Sequence, residues 1–335
     1  MVEIIEKEQL DSRESGLKIA DFANIAHDCR LITHADWLEA RKNGIGGSDV
    51  AAILGLSAWT SETELWLNKT GRLPDDDETS EVMEWGTALE PVIRGKFAEK
   101  HPKDRVFVLP FMLRSKAHPC MQADLDGLVC RENGKWEILE IKTAAAFKAN
   151  AWGTDENPEI PAYYQTQAMH YMSVSGINRV TFAVLIGGNR YIERSLNADP
   201  DFLNALPDIE ETFWDKVVSD TRPETDGSKA SSDYANRFKG GDEAVLNLDN
   251  MADDLDGLRL AKDKEDTVKK EVALYENRIK EAMGDHNVAT INGVTIKWKP
   301  QSKTMVDSKA LKEKYPNIYD EVSKTSSSRP FKPVI

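Results

Sequence analysis

The chain has 335 residues, of which 40% are hydrophobic and 30% charged, a composition typical of a soluble globular protein with one large domain or two. No apolar run approaches the roughly 20 residues of a membrane-spanning helix, and residues 1–15 lack the apolar core of a signal peptide, so we expect a cytoplasmic protein without a membrane partner. The net charge of −14 argues against a general nucleic-acid coat, but it does not exclude a nuclease with a local basic track and an acidic metal site.

Helix caps and glycine stops divide the first hundred residues into short elements. Residues 1–32 are predicted to be a loosely structured lead. Ser61-Glu62-Thr63-Glu64 is a capping box, in which a hydroxyl and a carboxylate satisfy free backbone N–H groups at a helix start. Pro91 lies inside a predicted helix, where we expect a kink because proline removes one backbone donor. The four predicted helices end near Lys42, at Leu54, at Thr70 and at Lys100.

Strands and longer helices are predicted in the middle of the chain. A helix with Pro161 in its first turn runs to Val174 and ends near Gly176. The predicted strands lie at residues 105–109 and around Leu113, Asp124 and Glu140, and a hairpin of residues 179–186 and 190–196 precedes an amphipathic helix over 199–220.

The last third of the chain is predicted to be a separate region. Residues 221–243 are rich in Pro, Gly, Ser and Asp, which is typical of a linker. Apolar residues then recur at helical spacing between charges, which predicts a long helix that ends at Gly284. Asn292-Gly293 predicts a β-hairpin, and a further helix covers residues 308–314.

Two carboxylates, those of Asp126 and Glu140, are predicted to meet at one end of a pair of strands. The strand-like segments on either side of the turn at residues 131–135 pair antiparallel, which brings the carboxylates together. Because residues two apart in a strand share a face, Glu140 and Lys142 project together, while Ile141 points into the core.

This set of two acids and one lysine suits a divalent metal site. Magnesium prefers oxygen ligands, so Asp126, Glu140 and the backbone carbonyl of Ile141 are the predicted ligands. Lys142 can then activate the attacking water or neutralise charge in the transition state of phosphodiester hydrolysis. Glu-x-Lys on an exposed strand and Asp-Gly in a turn are common by themselves, and it is the strand–turn–strand context that favours a metal site.

Two further acids lie near this set. Glu90, immediately before Pro91, can complete the metal site or position the water, although most helix glutamates are simply exposed. Asp124 competes with Asp126 for the ligand role because the two share a strand face. We favour Asp126, because Gly127 beside it allows a close approach of the backbone.

A glycine-rich turn, Gly46-Gly47-Ser48-Asp49, comes before a predicted helix and forms a second candidate site. Such a turn leaves N–H groups pointing towards an anion, and Arg41 lies seven positions before Ser48, so the two can hold a terminal phosphate. The spacing fits neither a Walker loop nor a dinucleotide fingerprint. A plain turn in which Ser48 or Asp49 caps the helix is the alternative.

Other polar and aromatic residues remain open. Gln165 and Gln167 can hydrogen-bond a base, a phosphate or a metal-bound water, although glutamines more often only cover a helix surface. Trp59 follows the glycine-rich turn and can stack on a base. The six histidines and three cysteines show no spacing that predicts a metal site.

Read in order, these motifs resemble the YqaJ-type viral recombinase family, the lambda-exonuclease branch of the PD-(D/E)XK nucleases, over roughly residues 33–220. The resemblance rests on Arg41, Gly46-Gly47-Ser48-Asp49, Gly86-Thr87-Ala88-Leu89-Glu90-Pro91, Asp126-Gly127, Leu139-Glu140-Ile141-Lys142-Thr143 and Ile160-Pro161-Ala162-Tyr163-Tyr164-Gln165-Thr166-Gln167. The family often carries Gln-x-Gln where this chain has Gln167-Ala168-Met169, so the contacts of that helix stay open.

The resemblance implies an α/β (α+β) fold, with a restriction-endonuclease-like core in which helices flank a mixed central sheet. The long C-terminal helix and the β-hairpin form an appendage to this core. The expected regions are a lead at 1–32, an exonuclease domain at 33–220, a linker at 221–243 and the C-terminal region at 244–335.

The resemblance also implies a Mg²⁺-dependent exonuclease, with Mn²⁺ as a substitute, that degrades one strand of duplex DNA from its 5′ end. Asp126 and Glu140 would hold the metal, Glu90 would assist them, and Lys142 would serve the water. The remaining roles implied are contact with the 5′-phosphate for Arg41 and Ser48 and lining of the site for Gln167.

The family's partners are duplex DNA ends and a single-strand annealing protein, and lambda exonuclease is a ring-shaped trimer, so we expect a homo-oligomer in the host cytoplasm. Two other functions are kept open. A structure-specific or nicking endonuclease has the same core, and a catalytically silent recombination scaffold fits the net charge and the long C-terminal region.

Overall fold

The computed structural model describes residues 2–11, 16–73, 80–238, 240, 244–324 and 329–332. The chain forms two compact units, Met1–Arg237 and Phe238–Ile335. Among the described residues, no helix combines the length and the apolar character that crossing a bilayer requires.

The first unit is built around a six-stranded mixed sheet with the order β1-β3-β6-β7-β8-β9. Its strands are β1 (Val2–Ile4), β3 (Arg105–Val108), β6 (Gly127–Cys130), β7 (Trp136–Ala144), β8 (Arg179–Ile186) and β9 (Arg190–Asn197). The pairs β1–β3 and β7–β8 are parallel, and the other neighbours are antiparallel. A second sheet has the order β2-β4-β5 and consists of β2 (Ala23–Asp28), β4 (Phe111–Ser115) and β5 (Gln122–Asp124).

Helices cover both faces of the six-stranded sheet. The described helices of this unit are α1 (Lys7–Asp11), α2 (Ile19–Phe22), α3 (His34–Lys42), α4 (Val50–Ile53), α5 (Glu62–Lys69), α6 (Glu81–Lys100), α7 (Ala162–Ser175), α8 (Pro200–Val218) and α9 (Lys229–Ala235). On one face, Ile93 of α6 clusters with Leu139 and Ile141 of β7. On the other, Met172 of α7 belongs to the same core as Ile138. Burial on both faces explains the largely apolar strands, and the predicted fold class is confirmed.

Local sequence signals place several helix ends. Thr33 and Asp36 form a reciprocal capping box at the start of α3, and the Ser61 hydroxyl accepts the N–H of Glu64 at the start of α5. α6 continues through Pro91. Gly176 ends α7 with φ of 69°, a left-handed conformation that favours glycine.

The N-terminal segment differs from the loose lead expected at 1–32. β1 pairs with β3 and β2 pairs with β4, while Leu10 and Ile19 are buried in the core. These elements are too short for a clear hydrophobic period, and their stability comes from strands about a hundred positions further along the chain.

The polar segment expected as a linker at 221–243 also contains folded structure. It includes α9, whose Ala230 is buried, and the Arg237 guanidinium pairs with the Glu64 carboxylate at 2.6 Å. The boundary between the units falls after Arg237. Ser228, one of the polar residues that suggested a linker, instead caps α9, since its hydroxyl accepts the N–H of Ser231.

The second unit contains the predicted long helix and β-hairpin. Its elements are α10 (Ala252–Met283), β10 (Val288–Ile291), β11 (Val294–Lys297), α11 (Ser308–Lys314) and α12 (Pro316–Val322). Asn292 and Gly293 both have positive φ, 48° and 82°, as a tight hairpin turn requires. The sequence did not predict α12.

A buried ion pair between His170 and Glu210 links α7 to α8. The fully buried His170 contacts the Glu210 carboxylate through Nδ1 at 2.8 Å and the Gln122 carbonyl through Nε2 at 2.6 Å. Both ring nitrogens face acceptors, so the imidazole is protonated. Burial acts to lower the pKa of His170, but the Glu210 charge, the two hydrogen bonds and the Asp49 charge outweigh it and the pKa is raised.

We expect this pair to make stability depend on pH. Because the folded pKa of His170 exceeds the unfolded value of about 6.5, its stabilisation is complete below that value and is lost as pH rises through the folded pKa. The difference in melting temperature between wild type and His170→Gln should therefore be larger at pH 6 than at pH 9. A difference that is constant across this range would show that folding does not raise the pKa of His170, and one that grows with pH would show that His170 is neutral in the folded protein.

Candidate active site

Asp126 and Ile141 are joined where the ladder between β6 and β7 ends. The last pair of this ladder is Gly127 with Leu139. Beyond this pair, the Oδ2 of Asp126 accepts the backbone N–H of Ile141 at 2.7 Å. A Cβ at Gly127 would lie 2.7 Å from the Phe107 carbonyl oxygen, so glycine is required there. The N–H and C=O of a strand residue point the same way, so the Ile141 carbonyl faces the Asp126 side of the strand.

Glu140 and Lys142 project together from β7, as the period of two predicts. The Lys142 Nζ donates to Glu140 Oε1 at 2.7 Å, and Glu140 is 1% exposed. The second carboxylate oxygen, Oε2, is buried without a hydrogen-bond partner. Ile141 points the opposite way, into the core beneath α6, as predicted.

The electrostatics of this cluster are those of crowded, buried carboxylates. Burial and the Asp126 charge raise the pKa of Glu140 to about 8, and burial raises the pKa of Asp126. Burial acts to lower the pKa of Lys142, but Glu140 and Asp126 outweigh it, so the pKa is raised and the ammonium stays charged. Carboxylates whose pKa values are raised by burial and by one another's charge are stabilised by a further cation.

Glu90 reaches the same cluster from α6, together with an arginine that the sequence analysis missed. Arg94, which is 6% exposed, donates to the Glu90 carboxylate and, at 2.9 Å, to the backbone carbonyl of Asp126. Burial and the charge of Asp126 raise the pKa of Glu90. The spacing of four residues between Glu90 and Arg94 is the signal that could have identified this pair.

Arg41 and Ser48 are also brought together, in a separate cluster. The Arg41 Nη2 donates to the Ser48 Oγ at 2.8 Å, and its guanidinium lies over the Trp37 ring at 4.8 Å. Asp124 belongs to this cluster: burial raises its pKa against the opposing effects of the Arg41 charge and a hydrogen bond from Trp37. Asp124 ends β5 in the second sheet, whereas Asp126 accepts the Ile141 N–H, so it is Asp126 that lies beside β7.

The glycine-rich turn does not offer all of its amides to a ligand. The Gly46 N–H donates to the Asp49 carboxylate at 2.9 Å. Asp49 in turn pairs at 2.6 Å with Lys69 of α5, whose side chain is 3% exposed and whose Nζ also donates to the Arg41 carbonyl at 2.9 Å. The sequence analysis missed Lys69, which fixes the turn and the end of α3 at the same time.

Gln167 lies on the part of α7 that faces both clusters. Its Nε2 donates to the Tyr171 hydroxyl at 2.9 Å, and a Cβ at Gly47 would lie 2.6 Å from the Tyr171 ring. Burial and the charges of Glu140 and Asp126 raise the pKa of Tyr171 well above its usual value. Gln165 instead donates to the Ile160 carbonyl at the start of its own helix, at 2.7 Å.

The acids of this cluster offer oxygen donors to a divalent cation. Within the described part of the chain, no three His, Cys, Asp or Glu side chains are grouped as a metal site, and Lys142 and Arg94 contact Glu140 and Glu90. The buried, unpartnered Oε2 of Glu140 and the raised pKa values of both acids nevertheless fit an oxygen-seeking ion. Asp126, Glu140 and the Ile141 carbonyl are the residues that would hold it.

Comparison with known proteins places the chain in a family. It is 32% identical over 302 residues to the uncharacterized protein YqaJ of Bacillus subtilis (strain 168), across 88% of this chain and 92% of the relative. The chain belongs to the YqaJ-like viral recombinase family. The model of the YqaJ-like viral recombinase domain matches residues 36–178, a range that contains both clusters.

Solved structures give more distant likenesses to this YqaJ-like protein. An alkaline exonuclease from Laribacter hongkongensis is similar at a TM-score of 0.43 and 19% identity, over 56% of this chain and 93% of that one. A phage-related exonuclease from Haemophilus somnus 129PT is similar at 0.37 and 12%, over 55% and 99%. Likenesses this distant carry no argument about activity.

We expect Lys69→Met to lower the free energy of unfolding by about 3 kcal/mol, because it leaves the Asp49 carboxylate buried without the ammonium that contacts it. Urea denaturation of the full chain measures this. Combining it with Asp49→Asn should restore part of the loss, since no unpaired charge then remains. Lys103→Met, which removes an exposed ion pair with Glu132, is the matched control and should cost less than about 1 kcal/mol. An equal loss in both single variants would contradict a buried pair.

Proposed function

We propose that this protein is a Mg²⁺-dependent 5′-to-3′ exonuclease that resects duplex DNA ends for phage-type recombination by single-strand annealing. The observation that carries the proposal is the convergence of Asp126, Glu140 and Lys142 at the end of the β6–β7 pair. The YqaJ-like viral recombinase family, to which the chain belongs, agrees with this proposal.

The chemistry requires charge neutralisation and a positioned water. A bound Mg²⁺ would lower the pKa of the attacking water and neutralise charge on the phosphate, and Mn²⁺ would do the same. Asp126 and Glu140 supply the anionic oxygens that hold such an ion. With the ion held by the carboxylates, Lys142, which donates to Glu140 in this structure, would be free to orient the water, while Arg94 holds Glu90 and the Asp126 backbone in place.

Recognition of the DNA end is assigned to the Arg41 cluster. Its guanidinium is restrained by the Ser48 hydroxyl and the Trp37 ring, and Lys69 contributes a nearby positive charge. A terminal 5′-phosphate fits this set, because arginine binds phosphate through paired charge-assisted hydrogen bonds. Gln167 and Tyr171 of α7 pack against the glycine-rich turn, and Tyr171 also lies near enough to Glu140 and Asp126 for their charges to add to burial in raising its pKa.

A ring-shaped homotrimer and a single-strand annealing protein are the proposed partners. A ring around DNA would keep the enzyme on its substrate between cleavage steps, and an annealing protein would receive the exposed strand. These partners rest on the family resemblance, and the molecular mass of the purified protein in solution tests the trimer.

The first test is incubation of end-labelled linear duplex with magnesium, with and without a 5′-phosphate, beside a covalently closed plasmid. Release of nucleotides from linear DNA only is the expected result. Cutting of the closed circle would favour a structure-specific or nicking endonuclease. DNA binding with no magnesium-dependent release would favour a catalytically silent scaffold.

We expect Glu140→Gln and Lys142→Ala each to reduce cleavage by about a thousandfold or more, because each removes a charge that acts in the transition state. DNA binding, measured in calcium, should largely survive. Glu132→Gln and Lys135→Ala, which change the turn at the far end of β7, are the matched controls and should cleave normally. Normal turnover in either active-site variant would remove the assignment.

We expect Arg41→Ala to reduce the preference for 5′-phosphorylated over unphosphorylated ends by about tenfold, the scale of one hydrogen bond to a charged group. Initial rates on the two duplexes give this ratio. Arg105→Ala, which removes an exposed arginine at the opposite end of the sheet, should leave the ratio unchanged. If wild type digests both ends equally fast, the phosphate-site assignment fails even where cleavage itself is observed.

A further inference from the structure

A chain of aromatic rings leads from the catalytic lysine to the protein surface. The Lys142 Nζ lies over the Tyr164 ring at 4.8 Å, and Tyr164 contacts Tyr163 at a centroid distance of 4.4 Å. Tyr163 contacts the Trp59 ring edge-on, at 4.9 Å and 87°. Trp59 is 56% exposed, so the last ring of the series presents its surface to solvent.

The position of Trp59 is held without burying it. It lies in the loop between α4 and α5, where the Ser57 hydroxyl accepts the backbone N–H groups of Trp59 and Thr60 at 3.2 and 3.1 Å. A tryptophan that served only the core would be covered, as Trp66 and Trp152 are. Trp59 therefore offers a restrained aromatic face that the packing of the domain does not require.

A lysine adds positive charge to this face. Lys148 follows β7 in the 3₁₀ segment Ala146–Trp152, and its Nζ lies over the Trp59 ring at 5.2 Å. Aromatic rings for bases combined with cations for phosphates are the chemistry with which proteins bind single-stranded nucleic acid. On a chain of net charge −14, a lysine over an exposed tryptophan ring is well suited to an anionic strand.

We propose that Trp59, Tyr163 and Lys148 form a stacking platform for one unpaired base of the DNA strand that is being degraded. The inference rests on the proposed nuclease function and adds a single-strand subsite to it. Bases inside a duplex are already stacked on both sides, and the terminal pair exposes one face only, so an unpaired nucleotide, with both faces free, offers Trp59 the larger stacking surface. The platform thus holds the substrate end open, close to Lys142, and contributes to binding rather than to bond cleavage.

The test measures the affinity of wild type and of protein variants for a set of modified DNA duplexes. Duplexes carry a single abasic nucleotide at the first, second or third position from the 5′ end, and their affinities are measured in calcium beside the unmodified duplex. Wild type should bind the abasic duplex about tenfold more weakly at one of these positions, the size of one stacked base. Trp59→Ala should bind all duplexes equally, and Trp59→Phe should retain part of the discrimination.

Two further variants sharpen the result. Trp298→Ala removes a tryptophan of similar exposure from the second unit and should discriminate as wild type does. Lys148→Ala should reduce the slope of log affinity against log salt by about 0.7, as expected for one contact with a single strand.

The outcomes separate this inference from the function on which it rests. If wild type cleaves DNA but Trp59→Ala keeps the same discrimination, or if wild type discriminates at no position, the platform is overturned and the nuclease stands. If wild type discriminates but never releases nucleotides, the platform stands and the nuclease assignment falls.

Discussion

The hydrogen bond from the Ile141 N–H to the Asp126 carboxylate is the interaction on which the arrangement of the site depends. It takes the place of the next ladder bond where β6 begins, and so fixes an acidic side chain against the strand that carries Glu140 and Lys142. Gly127 makes this possible, since any side chain there would collide with the neighbouring strand. These side chains are thus held where two central strands of a rigid sheet stop pairing, rather than on a loop.

The crowding of charged side chains at the end of the β6–β7 pair opposes folding. Burial of two carboxylates raises the pKa values of Asp126 and Glu140, which is a free-energy cost to the folded state at neutral pH. Lys142 and Arg94 offset part of it by contacting Glu140 and Glu90. The apolar layers beneath α6 and α7 supply the remaining stability. Whether these buried charged groups stay in place therefore depends on the hydrophobic core on both sides of the sheet.

The helix α7 coordinates the separate parts of the site. Near its start, Tyr163 and Tyr164 carry the aromatic series from Lys142 to Trp59. One turn later Gln167 and Tyr171 pack against the glycine-rich turn that follows Arg41. Its opposite side is anchored by the buried contact of His170 with α8. A single helix therefore sets the distances between the carboxylates, the Arg41 cluster and the proposed base platform.

The sequence by itself determined the features that depend on short-range signals. The turn at residues 131–135 and the period of two placed Glu140 and Lys142 on one face, and caps and the Asn292-Gly293 turn placed helices and the second hairpin. Only the tertiary structure decided which distant groups complete these elements. The N-terminal strands, α9, and the partners of Lys69 and His170 depend on residues about 20 to 170 positions away, where neither propensity nor periodicity carries information. Buried charges reveal the difference most clearly, because a lysine or histidine in a sequence is the same residue whether solvent or a carboxylate surrounds it.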